Sequence, residues 1–398
     1  MSRNTRKEII QRIEEKRCSK VITYVTSDRH NLNAQIASDV IPLIHEHLLS
    51  FDIKDPKKLD LFIYSRGGDT DVPWAIVSMF REYSLGGSFS VLIPYKAHSA
   101  ATVIALGADE IVMTKKAELG PIDATIGSGP YNPTEEKSGN RLPVSVEDVT
   151  RYFSLMEKVG CDSSDQKMKG FELLTDKVHP LVLGQVNRLL EQTKLVALRL
   201  LSTRTNPYSE SENDEIVKKL SSEVYSHRHA INRSESVNYI GLKQVKNAET
   251  DDIAEDLWSL YKEYEDLFKL NEPFNPNEYL ISNNLEENKW TGLNLACIES
   301  VNKCHICRKD LVVKRLRSVP PNININLTNL NFPPVNINNL PKGLNKEQLN
   351  TFIQKVVRSV IQTSINDAVK VAAQQVIESL PQTGFQELGL NLGWVEED

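Results

Sequence analysis

The chain has 398 residues, with 47 Lys and Arg against 53 Asp and Glu, for a net charge of −6. That length supports two or three domains, and the acidic balance argues against nucleic acid as the main partner. No apolar run approaches the roughly 18 residues of a membrane span, and the charged stretch from Met1 to Lys20 lacks a signal-peptide core. Five scattered cysteines, at 18, 161, 297, 304 and 307, fit a reducing compartment rather than a disulfide framework. The expectation is a soluble cytoplasmic protein with no membrane span and no nucleic-acid partner.

Residues 1–17 are strongly charged and read as a solvated leading helix. Lys20 to Thr26 is β-branched and short, which predicts a first core strand. Ser27-Asp28-Arg29-His30 reads as a loop. Ile36 to Leu49 carries a helical apolar stripe. Its His45 and His47 lie two apart, do not share a helix face, and read as surface residues. Asp60 to Tyr64 is the second strand, Asp71 to Tyr83 a helix, and Phe89 to Pro94 the third strand. A helix then runs from Ser99 to Leu106, with Gly107 expected in the left-handed C-terminal position. Glu110 to Met113 is the fourth strand. Strands alternating with helices in this way describe parallel βαβ units, whose ligand chemistry sits at the carboxyl ends of the strands. The breaks at Ser65-Arg66-Gly67-Gly68 and at Ala97-His98-Ser99 both fall there.

Further on, Val146 to Val159, Leu181 to Leu201 and Asn213 to Leu220 read as helices, and the first domain is expected to span 18–250. Residues 251–345 read as one helix plus an Asn/Pro-rich connector. Its alternating runs, such as Asn322 to Leu327, are bounded by Pro-Pro pairs that limit pairing. Residues 346–398 read as a long amphipathic helix and a tail. An apolar stripe of that length is expected to bury against a partner helix or a second subunit.

A serine hydroxyl is a poor nucleophile until a base takes its proton and donors stabilise the oxyanion. Ser99 opens a helix whose first turn offers free N–H groups, and Ala100 and Ala101 leave room for a substrate backbone. Gly67 and Gly68 tolerate the dihedrals needed to turn an N–H outward. The N–H groups of Gly68 and Ala100 are therefore the expected oxyanion hole. The blander alternative is that Ser99 merely caps its helix and the diglycine is only a turn.

Ser65-Arg66-Gly67-Gly68-Asp69 resembles the oxyanion loop of signal peptide peptidase A and its relatives. Ala97 to Ala101, with Ala105 to Met113, resembles their nucleophile helix and following strand. Leu119-Gly120-Pro121-Ile122-Asp123, Ser226-His227 and Ile240-Gly241-Leu242 resemble segments of the serine dehydrogenase proteinase branch. The resemblance covers about residues 18 to 250. It implies an α/β fold of the Clp protease/crotonase kind, a repeated ββα superhelix. It also implies serine peptidase activity on a peptide or protein substrate, no required cofactor, and assembly as a homo-oligomer. Arg66 stands where the family usually has Pro, and is expected to help bind substrate beside Gly67.

The base is less legible. His227 is one candidate, with Asp123 as its partner in a triad of non-standard chain order. Lys137 and Lys158 are the others, since a lysine does this work in signal peptide peptidase relatives. His98 abuts Ser99, but adjacent side chains point apart. Cys304-His305-Ile306-Cys307, with Cys297 upstream, lacks regular zinc spacing and reads as reduced thiols, so no metal is expected. Two other functions stand beside the peptidase: an inert scaffold of the same fold that binds a partner through its C-terminal helix, and, more distantly, an acyl-CoA enzyme.

Overall fold

The computed structural model describes residues 3–52, 57–122, 125–127, 129–135, 139–224, 226, 229–318 and 346–397. The chain divides into two compact units. The first comprises 1–274, 292–309 and 391–398, and the second 275–291 and 310–390.

The first unit is built on a twisted sheet. Five strands run parallel in the spatial order Val245–Asn247, Glu110–Met113, Phe89–Ile93, Lys58–Tyr64, Ser19–Thr26. Residues 296–299 then pair antiparallel to Ser19–Thr26, with Thr23 opposite Glu299. Period-two alternation decides which side chains face which layer. Leu59, Leu61 and Ile63 enter one apolar core, and Phe62 and Tyr64 enter the other. Both faces are covered, which is why these strands read as nearly unbroken apolar runs.

The first core is closed by helices α2 (Val40–Leu49), α3 (Val72–Tyr83) and α4 (Ala100–Leu106), with the end of Pro180–Ser202 against them. The opposite core is closed by α1 (Arg3–Arg17) and the helix Ala254–Phe268. α1 is therefore not the solvated leader its charge suggests. Ile9, Ile10 and Ile13 are buried, and so are Arg6 and Arg17. Arg17 lies at the starts of three strands, with Nε 2.5 Å from the fully buried carboxylate of Asp60 and Nη2 3.0 Å from Glu110.

Other expectations also need correction. His47 is fully buried, because α2 packs against the turn carrying Ser300. Gly107 has φ −79 and is not left-handed. A Cβ there would lie 2.7 Å from Val77 Cγ1, so close packing, not a turn, asks for glycine. Ser164–Thr175 is a helix opened by a capping box of Ser163 and Gln166, which the sequence reading missed. The stretch 251–318, read as helix and connector, holds the helix Ala254–Phe268, a short helix Pro276–Ser282 and two long strands. The Asn/Pro-rich runs from 319 to 345 lie outside the described residues.

The second unit carries Pro276–Ser282 and the helix Lys346–Ser379. Arg317 pairs with Glu286 at 2.5 Å and Lys289 with Asp310 at 3.4 Å. The long helix starts at residue 346 as expected, but Ile361, Val369 and Ile377 on it are exposed. Beyond it the expected tail is the strand Gln382–Glu396.

Candidate active site

The two strand ends singled out above are stitched together. Ser65 and Ala97 form a parallel bridge, in which Ser65 N–H donates to Lys96 O and His98 N–H donates to Ser65 O, each at 3.0 Å. This register brings the diglycine onto Ser99. A Cβ placed on Gly67 would lie 2.7 Å from Ser99 Cβ, 2.9 Å from His98 O and 3.2 Å from Ala100 N. Only a residue without a side chain allows that approach, and Gly67 also has φ +104.

Ile36 fixes the other side of the loop. Its N–H donates to Gly67 O at 2.9 Å, and its carbonyl accepts Asp69 N–H at 2.9 Å. A Cβ on Gly68 would collide with the Ile36 backbone. Ile36 thus takes the groups on either side of Gly68, and among the described residues the Gly68 N–H has no acceptor. The same is true of Ala100 N–H at the start of α4. Gly68 lines the same cleft as Ser99, and Ala100 follows Ser99 directly in the chain.

Ser99 itself has φ 51 and ψ −116, a strained backbone for a residue with a side chain. It occupies the N-cap position of α4, yet its hydroxyl makes no capping hydrogen bond. The blander capping role is therefore not realised. Thr102 braces the turn from behind. Its Oγ1 lies 2.7 Å from Ala97 O and accepts Gly120 N–H at 3.1 Å.

Two residues of this arrangement escaped the sequence reading. Ser65 Oγ accepts Gly67 N–H at 3.0 Å and the Thr26 hydroxyl at 2.8 Å, and both side chains are buried. Together they hold the diglycine loop. The available signal was that Thr26 and Ser65 end two adjacent strands.

The loops line a cleft of about 580 Å³ that includes Ser99, Gly67, Gly68, Arg66, Gln35 and Leu189. Arg66 is exposed. His98 turns away from Ser99, with Nε2 3.0 Å from Glu118 Oε1 and its ring against Gly120. Lys158 is the exposed last residue of the helix Val146–Lys158. Asp123, His227 and Lys137 lie outside the described residues. The residues around them are placed. Leu119 pairs with Ala97 on one side and Ile231 on the other, and Ile122 N–H donates to Leu220 O at 3.0 Å.

Residues 1–179 match the model of a family described as ClpP-like SDH-type serine proteinases. This is the family the sequence resembles. Two uncharacterized proteins of Methanocaldococcus jannaschii are similar to the chain. One is 27% identical over 169 residues, which are 42% of this chain and 46% of the relative. The other is 35% identical over 74 residues, 19% of this chain and 25% of the relative. The matches thus span less than half of either relative. Among solved structures, a ClpP1 mutant from Listeria monocytogenes is 12% identical, with a TM-score of 0.31, covering 61% of this chain and 98% of that one. A mutant of a membrane-bound stomatin-specific protease is 19% identical, with a TM-score of 0.23, covering 37% and 69%. The α/β fold is of the Clp protease kind, as the family match and the parallel sheet agree. No helix among the described residues is long and apolar enough to cross a membrane.

Proposed function

We propose that the protein is a serine endopeptidase that cleaves peptide bonds through an acyl-enzyme on Ser99. The observation that carries this reading is that Gly68 and Ala100 N–H have no acceptor among the described residues, near a strained serine whose hydroxyl makes no capping hydrogen bond. Strain of this kind persists where the surroundings impose it, and it concentrates at reactive positions.

In this mechanism the substrate backbone lies along the diglycine as an added strand. Ser99 Oγ attacks the scissile carbonyl carbon while a base takes its proton. The carbonyl oxygen becomes an oxyanion that accepts from Gly68 and Ala100. The intermediate collapses, the base gives its proton to the leaving amine, and water then hydrolyses the ester. His227 is the base and Asp123 its orienting partner in this reading. Support comes from neighbouring contacts: Ile231 pairs with Leu119 and Leu220 O accepts from Ile122 N–H, so residues before and after His227 in sequence bond to residues just before Asp123 in sequence. Arg66 at the cleft mouth meets an acidic group on the substrate. Exposed apolar side chains such as Leu155, Phe171 and Leu181 support assembly into a homo-oligomer. Five free cysteines support a reducing, cytoplasmic setting.

A fluorophosphonate probe, read by intact mass and alongside peptide hydrolysis, tests the assignment. Labelling of the wild type and none of Ser99→Ala is expected. Equal labelling of both, or no turnover by a wild type that binds partners through 346–379, overturns it in favour of an inert scaffold.

A further inference from the structure

On the opposite face of the sheet from α4, the antiparallel strands bring three potential ligands together. Cys297 and Glu299 project from one face of Glu287–Glu299, and Cys304 opens the next strand after the turn closed by Ser300 N–H to Lys303 O. The two sulfurs and a carboxylate oxygen all lie within 4.8 Å of one another, and all three residues are buried. Cys297 and Cys304 belong to the core cluster formed with Ile9, Ile10 and Ile13 of α1 and the helix Ala254–Phe268.

The polar contacts of this cluster are lopsided. Glu299 Oε2 accepts from Arg6 Nε at 2.6 Å and from the Tyr264 hydroxyl at 2.9 Å. Thr23 Oγ1 lies 2.7 Å from the Tyr264 hydroxyl, and Arg6 Nη2 is 3.9 Å from Cys304 Sγ. Among the described residues Glu299 Oε1 has no hydrogen-bond partner, although the residue is fully buried, and Arg3 Nε at 4.0 Å is too distant to supply one. A bare carboxylate oxygen inside a core is costly and calls for an explanation.

We infer that Cys297, Glu299 and Cys304 form a structural site for a thiophilic divalent cation of the zinc class. The chemistry fits. Two thiolates and one carboxylate are ligands such ions take, and ligand atoms this close can share one tetrahedral centre. The balance also fits, since three anionic ligands beside Arg6 leave two negative charges for a dication to neutralise. Binding releases both thiol protons to solvent and forms two metal–sulfur bonds and one metal–oxygen bond, with no change of oxidation state. All three ligands are buried, so in this proposal the ion enters as the chain folds. It ties the Cys304 strand to Glu287–Glu299, and through the Arg6–Glu299 pair it reaches α1.

The 398-residue chain is refolded with Zn²⁺ or Co²⁺ alone and its metal content measured. One ion per chain is expected, and the cobalt form is expected to show thiolate-to-metal charge-transfer absorption. Cys297→Ala and Cys304→Ala lose both, while Cys161→Ala and Cys307→Ala keep both. Should either core variant fail to fold, the wild type alone decides: Zn²⁺ is expected to raise its unfolding midpoint and a chelator present during refolding to lower it. A wild type that refolds without bound metal, shows no cobalt–thiolate band and unfolds identically with and without Zn²⁺ overturns the site. So does a Cys297–Cys304 disulfide found by intact mass.

Discussion

Gly67 leaves no room for a side chain beside Ser99: a methyl group added to Gly67 would stand 2.7 Å from Ser99 Cβ. Gly67→Ala therefore meets both a clash and a φ of +104 that disfavours any side chain. The loop is expected to shift rather than the sheet to unfold. Peptidase activity should fall by about 10²-fold or more, as when an oxyanion donor is displaced, with a loss of stability of about 1–3 kcal/mol. Parallel assays of turnover and urea unfolding check this. A Gly67→Ala variant with wild-type turnover would show that the contact plays no part in catalysis.

The choice of base separates by substitution. His227→Ala is expected to lower kcat by about 10² to 10⁴-fold, the ordinary worth of a positioned base. Asp123→Asn should lower it less steeply while leaving KM near its wild-type value. Lys158→Ala, at an exposed helix end, should change nothing. If Lys137→Ala abolishes turnover and His227→Ala does not, the lysine mechanism replaces the triad.

The two turns of the candidate site were legible as strand ends because their signal is local. A small-residue break after an apolar strand, twice, marks two strand ends whatever surrounds them. What sequence could not supply was the register that makes Ser65 bridge Ala97, and with it the role of the Thr26 hydroxyl. Tertiary partners also overrode local appearance elsewhere. Ile9, Ile10 and Ile13 form a stripe on α1, but the charges between them made the helix look solvated. Glu287–Glu299 begins with polar residues and Gly292 and turns apolar only at its buried end, so it lacked the pattern of a core strand. His47 looked like a surface residue because its hydroxyl partner, Ser300, is distant in sequence.

Arg17 links Asp60, Glu110 and Asp251, and both Arg17 and Asp60 are buried side chains. Burial alone would push the Glu110 carboxyl up, but hydrogen bonds from Lys246, Lys58 and Arg17 hold it down at about 2. Arg17→Met leaves Asp60 without its cation in a dry setting, and a loss of about 3–5 kcal/mol is expected. Replacing both, as Arg17→Met with Asp60→Leu, should recover much of that loss, because the desolvation cost disappears with the charges. Equilibrium urea unfolding of both variants checks the contrast. A double variant as unstable as the single one would mean that the lost contacts to Glu110 and Asp251 dominate.

His47 provides a test by pH. Its Nδ1 lies 2.8 Å from Ser300 Oγ and its Nε2 lies 3.1 Å from His305 Nδ1. Burial, with His305, Lys303 and Arg3 nearby, pushes its pKa down from 6.5 to about 3. The folded state therefore keeps this ring neutral where the unfolded chain takes up a proton. Stability contributed by the neutral ring is complete above pH 6.5 and is lost progressively as pH falls toward about 3. The urea midpoint of the wild type should decline through that window. His47→Gln keeps a polar side chain but removes the proton, so its decline should be shallower between pH 6.5 and 5. Measuring both midpoints across that range decides the matter, and parallel curves would mean that His47 does not govern the acid sensitivity of the fold.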